Sequence, residues 1–139
     1  MPLVRIDLNR GRSNAAVTAI ADAIHEAIVE VYGIPLRDRF QIVTQHDAGA
    51  IIAQDAGLGF ERSEGVVMIQ IFTQRGRSVA TKQALYSGIN ARLGLAGVSG
   101  EDVFIGYVES GPEDWSFGFG TAQYITGEIA VPASGSPVE

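Results

Sequence analysis

The sequence predicts an α/β fold: one β-α-β unit used twice, giving a four-stranded mixed sheet with two helices on one face. Three observations predict it. Gly11-Arg12-Ser13-Asn14-Ala15 returns as Gly76-Arg77-Ser78-Val79-Ala80. Gly33-Ile34, followed by Asp38 and Phe40, returns at almost the same offset as Gly97-Val98, followed by Asp102 and Phe104. In each copy the apolar spacing changes from strand-like to helix-like and back. Two copies are too few for a solenoid, so they are expected to close on each other. A chain of 139 residues is expected to form a single domain. Its repeat units would cover about 2–46 and about 66–110, with a C-terminal arm over about 111–139.

The first strand is the alternation Val4, Ile6, Leu8, which turns every second side chain to one face. Ser13 suits a helix N-cap. Behind it Val17, Ile20, Ile24, Ile28 and Val31 follow at steps of three and four, one stripe for a sheet. Gly33 stands where a left-handed C-terminal glycine belongs, and Pro35 stops the helix. Phe40 to Gln45 returns as a strand. Asp47 to Gly65 reads as irregular, with a short strand candidate at Ile51-Ile52. The second copy opens with Val66 to Phe72, a near-continuous apolar run suited to a sheet interior. Ser78 caps the second helix, which carries Ala84, Leu85, Ile89 and Leu93, and Gly94 and Gly97 end it. Val103 to Val108 is the returning strand. A strand–helix–strand crossover makes a parallel pair. Beyond Ser110, Trp115, Phe117 and Phe119 alternate with Ser116 and Gly118, which aims three rings one way. Tyr124-Ile125-Thr126 reads as a short strand. The tail from Pro132 reads as a flexible end or an arm docked on a neighbour.

A sheet with helices on one face leaves the other uncovered. Its apolar content predicts self-association. Hydrophobic residues make up 46% of the chain and charged ones 19%, ordinary for a protein with a real core. A net charge of −6 offers no basic stripe for phosphates, so no nucleic-acid partner is expected. With no cysteine there is no disulfide, thiolate nucleophile or cysteine metal site. His25, placed on a helix flank, and His46 have no ligand company, so no metal is expected. No apolar run reaches the roughly 18 residues of a membrane span. The start carries Arg5, Asp7, Arg10 and Arg12 and does not read as a signal peptide. A cytoplasmic protein with no membrane partner is expected.

The candidate chemistry begins at Met1-Pro2. Processing removes an initiator methionine before a small residue, which would leave Pro2 as a secondary amine at the edge of the first strand. N-terminal amines titrate near ~7.7–8.0, so a modest shift gives a base or a cationic acid at neutral pH. Arg75 and Arg77 occupy the turn between a buried strand and a capped helix, where ligands gather in open α/β sheets. A guanidinium there suits a carboxylate, which it binds bidentately. Arg12 holds the same place in the first copy, so both arginines can equally be solvated turn residues. Asp38 can pair with the N-terminal ammonium and raise its pKa, or bridge to Arg37 or Arg39. Trp115 and Phe117 either wall an apolar pocket or serve plain burial.

Together these residues carry a resemblance. Met1-Pro2-Leu3, the duplicated unit, Asp38-Arg39-Phe40-Gln41, Gln45-His46, Asp55-Ala56-Gly57-Leu58-Gly59-Phe60 and Asp114-Trp115-Ser116-Phe117-Gly118 resemble the malonate semialdehyde decarboxylase family of the tautomerase superfamily. The resemblance covers nearly the whole chain. It implies a tautomerase-like fold, a homotrimer, no cofactor, and Pro2 as the catalytic amine once Met1 is lost. It matches Asp38 to the acidic partner of that proline, Arg77 to the arginine before the second helix, and Trp115 and Phe117 to a hydrophobic wall. It departs at Gln74-Arg75-Gly76-Arg77. One branch of the family carries an Arg-Pro-Arg turn there, and a second has the longer turn with only the later arginine. This chain resembles the second branch, yet has Arg75 as well.

The implied reaction is that of a lyase: decarboxylation of a small carboxylate substrate, malonate semialdehyde, to acetaldehyde and CO2. A cationic Pro2, kept charged by Asp38, would supply the electron sink by hydrogen bond or as an iminium. Arg77, with Arg75 as a second candidate, would hold the carboxylate. Trp115 and Phe117 would desolvate it. The same site also suits a hydratase or a cis-3-haloacrylate dehalogenase, with Asp38, Glu113 or Asp114 activating water. A neutral Pro2 would instead make a keto–enol tautomerase. From another class, a non-catalytic trimeric module would retain Met1.

Overall fold

The computed structural model describes residues 1–131. Both units form as the periodicity requires. The first is β1 (Leu3–Asn9), α1 (Asn14–Tyr32) and β2 (Phe40–His46). The second is β3 (Val67–Gln74), α2 (Val79–Leu95) and β4 (Val103–Ser110). Single 3-10 turns at Gly100–Asp102 and Pro112–Asp114 and a one-turn helix, α3 (Gln123–Thr126), follow. The strands lie in the order β2-β1-β3-β4. Each crossover makes its own pair parallel, so among the described residues the only antiparallel seam is β1 against β3, where the two units meet.

The core lies between the sheet and the two helices. Val4, Ile6 and Leu8 of β1 and Val67, Ile69 and Ile71 of β3 face Ile20, Ile24 and Ile28 of α1 and Leu85, Ile89 and Leu93 of α2, all buried. Each such side chain stabilises the fold by about 1.5–3 kcal/mol. Ser13 Oγ accepts from the Ala16 N–H at 3.1 Å, and Ser78 Oγ from the Thr81 N–H at 3.1 Å. Gly33 takes the left-handed φ of 64° and returns its N–H to Val29 O, a geometry costly for any residue with a Cβ. No helix among the described residues is long and apolar enough to cross a membrane.

Several expectations need correction. Ala84 is exposed, because it stands on the outer side of α2 from Leu85, Ile89 and Leu93. Gly94 lies inside the last turn of α2 rather than ending it. Val98 N–H reaches back to Leu93 O at 2.9 Å across the left-handed Gly97. Ile51-Ile52 forms no strand: Ile52 is exposed and the segment is tied by side chains instead. Arg62 Nε donates to Gln54 O at 2.7 Å and its Nη1 to Glu101 O at 2.6 Å. Tyr124-Ile125-Thr126 is helical, not extended. With no partner strand, its backbone closes on itself, and left-handed Gly127 donates to Gln123 O. Phe119 does not join the other two rings, because its own φ of 58°, between two left-handed glycines, breaks the alternation. The tail from Pro132 lies outside the described residues.

The second sheet face is uncovered. Phe40, Ile42, Phe104 and Val108 stand exposed on it. Polar groups interrupt it, among them His46, whose Nε2 lies 2.6 Å from Asp7 Oδ1.

Candidate active site at the start of the first strand

Strand register builds this site. Leu3 pairs with Phe40 in β2 and with Phe72 in β3. β2 runs with β1 and β3 runs against it. Carrying both ladders back two residues therefore places Asp38 on one side of Met1 and Gln74 on the other. The turn after β3 then delivers Arg77, just ahead of the Ser78 cap.

The terminal amine of Met1 donates to Gln74 Oε1 at 3.1 Å and to the Tyr124 hydroxyl at 2.6 Å. That hydroxyl in turn donates to Gln74 Oε1 at 3.1 Å. Gln74 and Tyr124 are both buried, and Pro2 is buried directly behind the amine. Two buried groups at this end have no hydrogen-bond partner among the described residues: Asp38 Oδ1, an acceptor, and Gln74 Nε2, a donor. An orphan of this kind costs about 1–3 kcal/mol, which a ligand reaching both would offset.

Burial lowers the Met1 amine from 8.0 to about 6, and Arg77 adds to the effect while Asp38 opposes it. Asp38 thus acts in the expected direction, but desolvation outweighs it. The Met1 amine is therefore largely neutral at pH 7. It stands in for the Pro2 amine, whose nitrogen is here part of a peptide bond. Asp38 is itself pushed up by burial, against the pull of the amine, His25 and Arg77. Burial also raises Tyr124, with Asp38 adding to it.

The loop carrying Asp38 is braced from below. His25 is buried, not on an open flank, and its Nε2 lies 2.7 Å from Leu36 O. Asp38 N–H closes a turn onto Pro35 O at 2.9 Å. Arg39 pairs with Asp22 at 2.7 Å instead of with Asp38. Arg77 Nη1 donates to Thr73 Oγ1 at 3.3 Å.

The wall comes from the irregular segment after β4. Trp115 stacks on Phe117 at 5.8 Å and 9°. Phe117 meets Tyr124 edge-on at 5.3 Å, and Phe40 at 5.8 Å. Trp115 Nε1 donates to Ser110 Oγ at 2.8 Å, which ties the wall to the end of β4. Pro2, Asp38, Arg77, Trp115 and Phe117 therefore gather at one end of the sheet. Arg75 lies in the same turn as Arg77 with its side chain exposed, and its backbone N–H bonds to Ser110 O at 2.8 Å. Glu113 and Asp114 are exposed, and Asp114 Oδ2 is occupied by the Gly111 N–H at 2.7 Å. Among the described residues no cluster of three His, Cys, Asp or Glu stands close enough to hold a metal ion.

Neither Gln74 nor Tyr124 carries a sequence signal that assigns it to this site. Gln74 was readable only through the ladder register, and Tyr124 lies past a stretch with no periodicity. What the arrangement offers is a nitrogen base or nucleophile held by two acceptors, an acid and a guanidinium that tune its charge, and an aromatic wall.

Two family models described as "Tautomerase enzyme" match this chain, one over residues 38–118 and the other over residues 2–61. The Bacillus subtilis (strain 168) protein "Probable tautomerase YrdN" is 37% identical over 130 residues, covering 93% of this chain and 100% of its own. The crystal structure of FG41 malonate semialdehyde decarboxylase inhibited by 3-bromopropiolate is 58% identical, covers 94% of this chain and 99% of that one, and has a TM-score of 0.92. Another malonate semialdehyde decarboxylase was solved as wild type, inactivated, and with its first residue, a proline, changed to alanine. It is 37% identical, covers 92% of this chain and 99% of its own, and has a TM-score of 0.88. A fused 4-OT, a symmetric trimer, is 26% identical, with coverage of 90% and 98% and a TM-score of 0.70.

Proposed function

This chain belongs to the tautomerase superfamily, and we propose that, once Met1 is removed, it uses Pro2 to decarboxylate malonate semialdehyde to acetaldehyde and CO2. The observation that carries the reading is the convergence of the chain's first nitrogen, Asp38 and Arg77 at one end of the sheet, beside the Trp115–Phe117 wall. The 58% identity to a malonate semialdehyde decarboxylase supports the substrate. The proline that begins a second such enzyme supports the nucleophile.

Losing CO2 from a 3-oxo acid leaves an electron pair that must enter the carbonyl. Burial beside Arg77, which lowers the Met1 amine, would act in the same direction on Pro2 and so favours the covalent route. Neutral Pro2 attacks the aldehyde carbon, and loss of water leaves an iminium. The bond to the carboxylate then breaks, and its electrons flow into the iminium to give an enamine. Protonation at carbon and hydrolysis release acetaldehyde and return Pro2. Arg77 holds the carboxylate so that the breaking bond lies perpendicular to the iminium plane. The wall of Trp115 and Phe117 favours neutral CO2 over the hydrated anion. Gln74 and Tyr124 hold the nitrogen in place. A bound carboxylate also offsets the charge of Arg77, so the amine becomes more basic when substrate is present.

The lowered amine and the tautomerase relatives favour one second reading. In it Pro2 stays free and acts as a base on an enol acid. Borohydride separates the two: with malonate semialdehyde, reduction fixes a substrate-derived mass on Pro2 in the first and leaves it unmodified in the second. An intact mass that retains Met1 would sink both. A homotrimer is part of the proposal, supported by the uncovered face with Phe40, Ile42, Phe104 and Val108 and by the trimeric fused 4-OT.

A further inference from the structure

The guanidinium of Arg77 lies over the ring of Tyr32, 4.0 Å from its centroid. Tyr32 is the last residue of α1, so the arginine of the second unit rests on a ring from the first. That ring is fixed from behind. Its hydroxyl donates to the Tyr107 hydroxyl at 2.9 Å. The Tyr107 ring meets Tyr86 edge-on at 6.4 Å and carries Lys82 at 4.9 Å on its face. Lys82 in turn binds Glu109. Burial, then the bond to Tyr107, raises the Tyr32 phenol far above its usual range, so the ring stays neutral at any working pH.

The way Arg77 is held leaves it able to act. No carboxylate lies within ion-pair distance of it among the described residues. Among the described residues its one side-chain hydrogen bond is the long one to Thr73. An acidic neighbour would have fixed the guanidinium by consuming its donor fork and cancelling its charge. An aromatic face attracts the cation through its quadrupole and takes no N–H, so the in-plane donors stay available.

We propose that Tyr32 is a positioning residue: its ring, locked by Tyr107, sets the plane of the Arg77 guanidinium so that its donors meet the substrate carboxylate beside the amine. This rests on Arg77 being the carboxylate clamp. Tyr32 touches no reacting atom and acts only through Arg77.

The test compares two probes of nearly the same shape and different charge, malonamate and malonamide, by calorimetric binding to the full chain. Tyr32→Phe keeps the ring and loses only its bond to Tyr107, so it should weaken malonamate by less than Tyr32→Leu does. Tyr32→Leu removes the ring and should weaken malonamate roughly tenfold while leaving malonamide unchanged. Tyr32→Met, unbranched and able to fill an irregular gap, repeats the test if the leucine variant does not fold. Equal loss of both probes, or no loss of either, overturns the proposal, since a purely structural ring would not discriminate charge. A wild-type protein with no preference for malonamate also overturns it, since no clamp then exists to position. Acetaldehyde release by wild type from malonate semialdehyde is measured separately, so failure of the decarboxylase reading is distinguishable from failure of Tyr32.

Discussion

The amine and Asp38 shift in opposite directions on folding. With Met1 in place the folded amine sits at about 6 against an ordinary 8.0. Between those values the unfolded chain binds a proton that the folded one refuses, so stability rises as pH goes from 6 to 8. Asp38 is raised in the folded state, so its contribution is full below its ordinary value of 3.8 and is lost as pH climbs through the raised one. Thermal melts of the Met1-bearing chain should follow the first trend, and a flat or falling midpoint from pH 6 to 8 would refute it. In the processed protein Asp38→Asn removes the charge that raises the amine. The acid limb of the kcat/KM profile should then move to lower pH, and a move upward would contradict the assignment. Arg77→Ala should lower kcat/KM about tenfold to hundredfold, the worth of a charged hydrogen bond. Pro2, Asp38, Arg77, Trp115 and Phe117 were legible because each sits in a distinctive string. Gln74, Tyr124 and Tyr32 were not, because their place depends on which strands and helix ends become neighbours. Arg75 was legible as a residue type, and its side chain is exposed.

Helices and strands of the two units were readable from periodicity alone, since a stripe at three and four or an alternation at two admits one buried face. The misread pieces are short. Ile51-Ile52 and Tyr124-Ile125-Thr126 are apolar enough for strands, but a strand exists only where an edge pairs with it. Neither finds one, and side-chain bonds or a left-handed glycine shape them instead. The caps separate stability from activity. Ser13→Ala and Ser78→Ala should each cost about 1 kcal/mol in denaturant unfolding. Ser78 also directly follows Arg77, so its loss should lower kcat/KM at least several-fold more than the loss of Ser13. Equal effects on activity would mean that the turn holds Arg77 without its cap.

At the scale of the molecule, duplication explains both what is shared and what is not. Arg12 and Asp102 repeat Arg77 and Asp38 in the second unit's frame, but the chain runs through Gly65 there instead of ending. Arg12 Nη2 is spent on Gly65 O at 2.6 Å, and Asp102 accepts the Ser63 N–H at 2.7 Å. The uncovered face was legible as an apolar surplus, though His46, Asp7 and other polar residues within it were not separable by pattern. Sedimentation should return a mass of three chains. Ile42→Asp, on that face, should shift it toward one, and an unchanged trimer would remove the face from the interface. The most direct test of the whole account is acetaldehyde release from malonate semialdehyde by Met1-free protein beside Pro2→Ala. The account predicts acetaldehyde and CO2 in equal amounts from wild type and a loss of at least roughly hundredfold in the variant. Wild type that releases neither, or a variant that keeps pace with it, would contradict it.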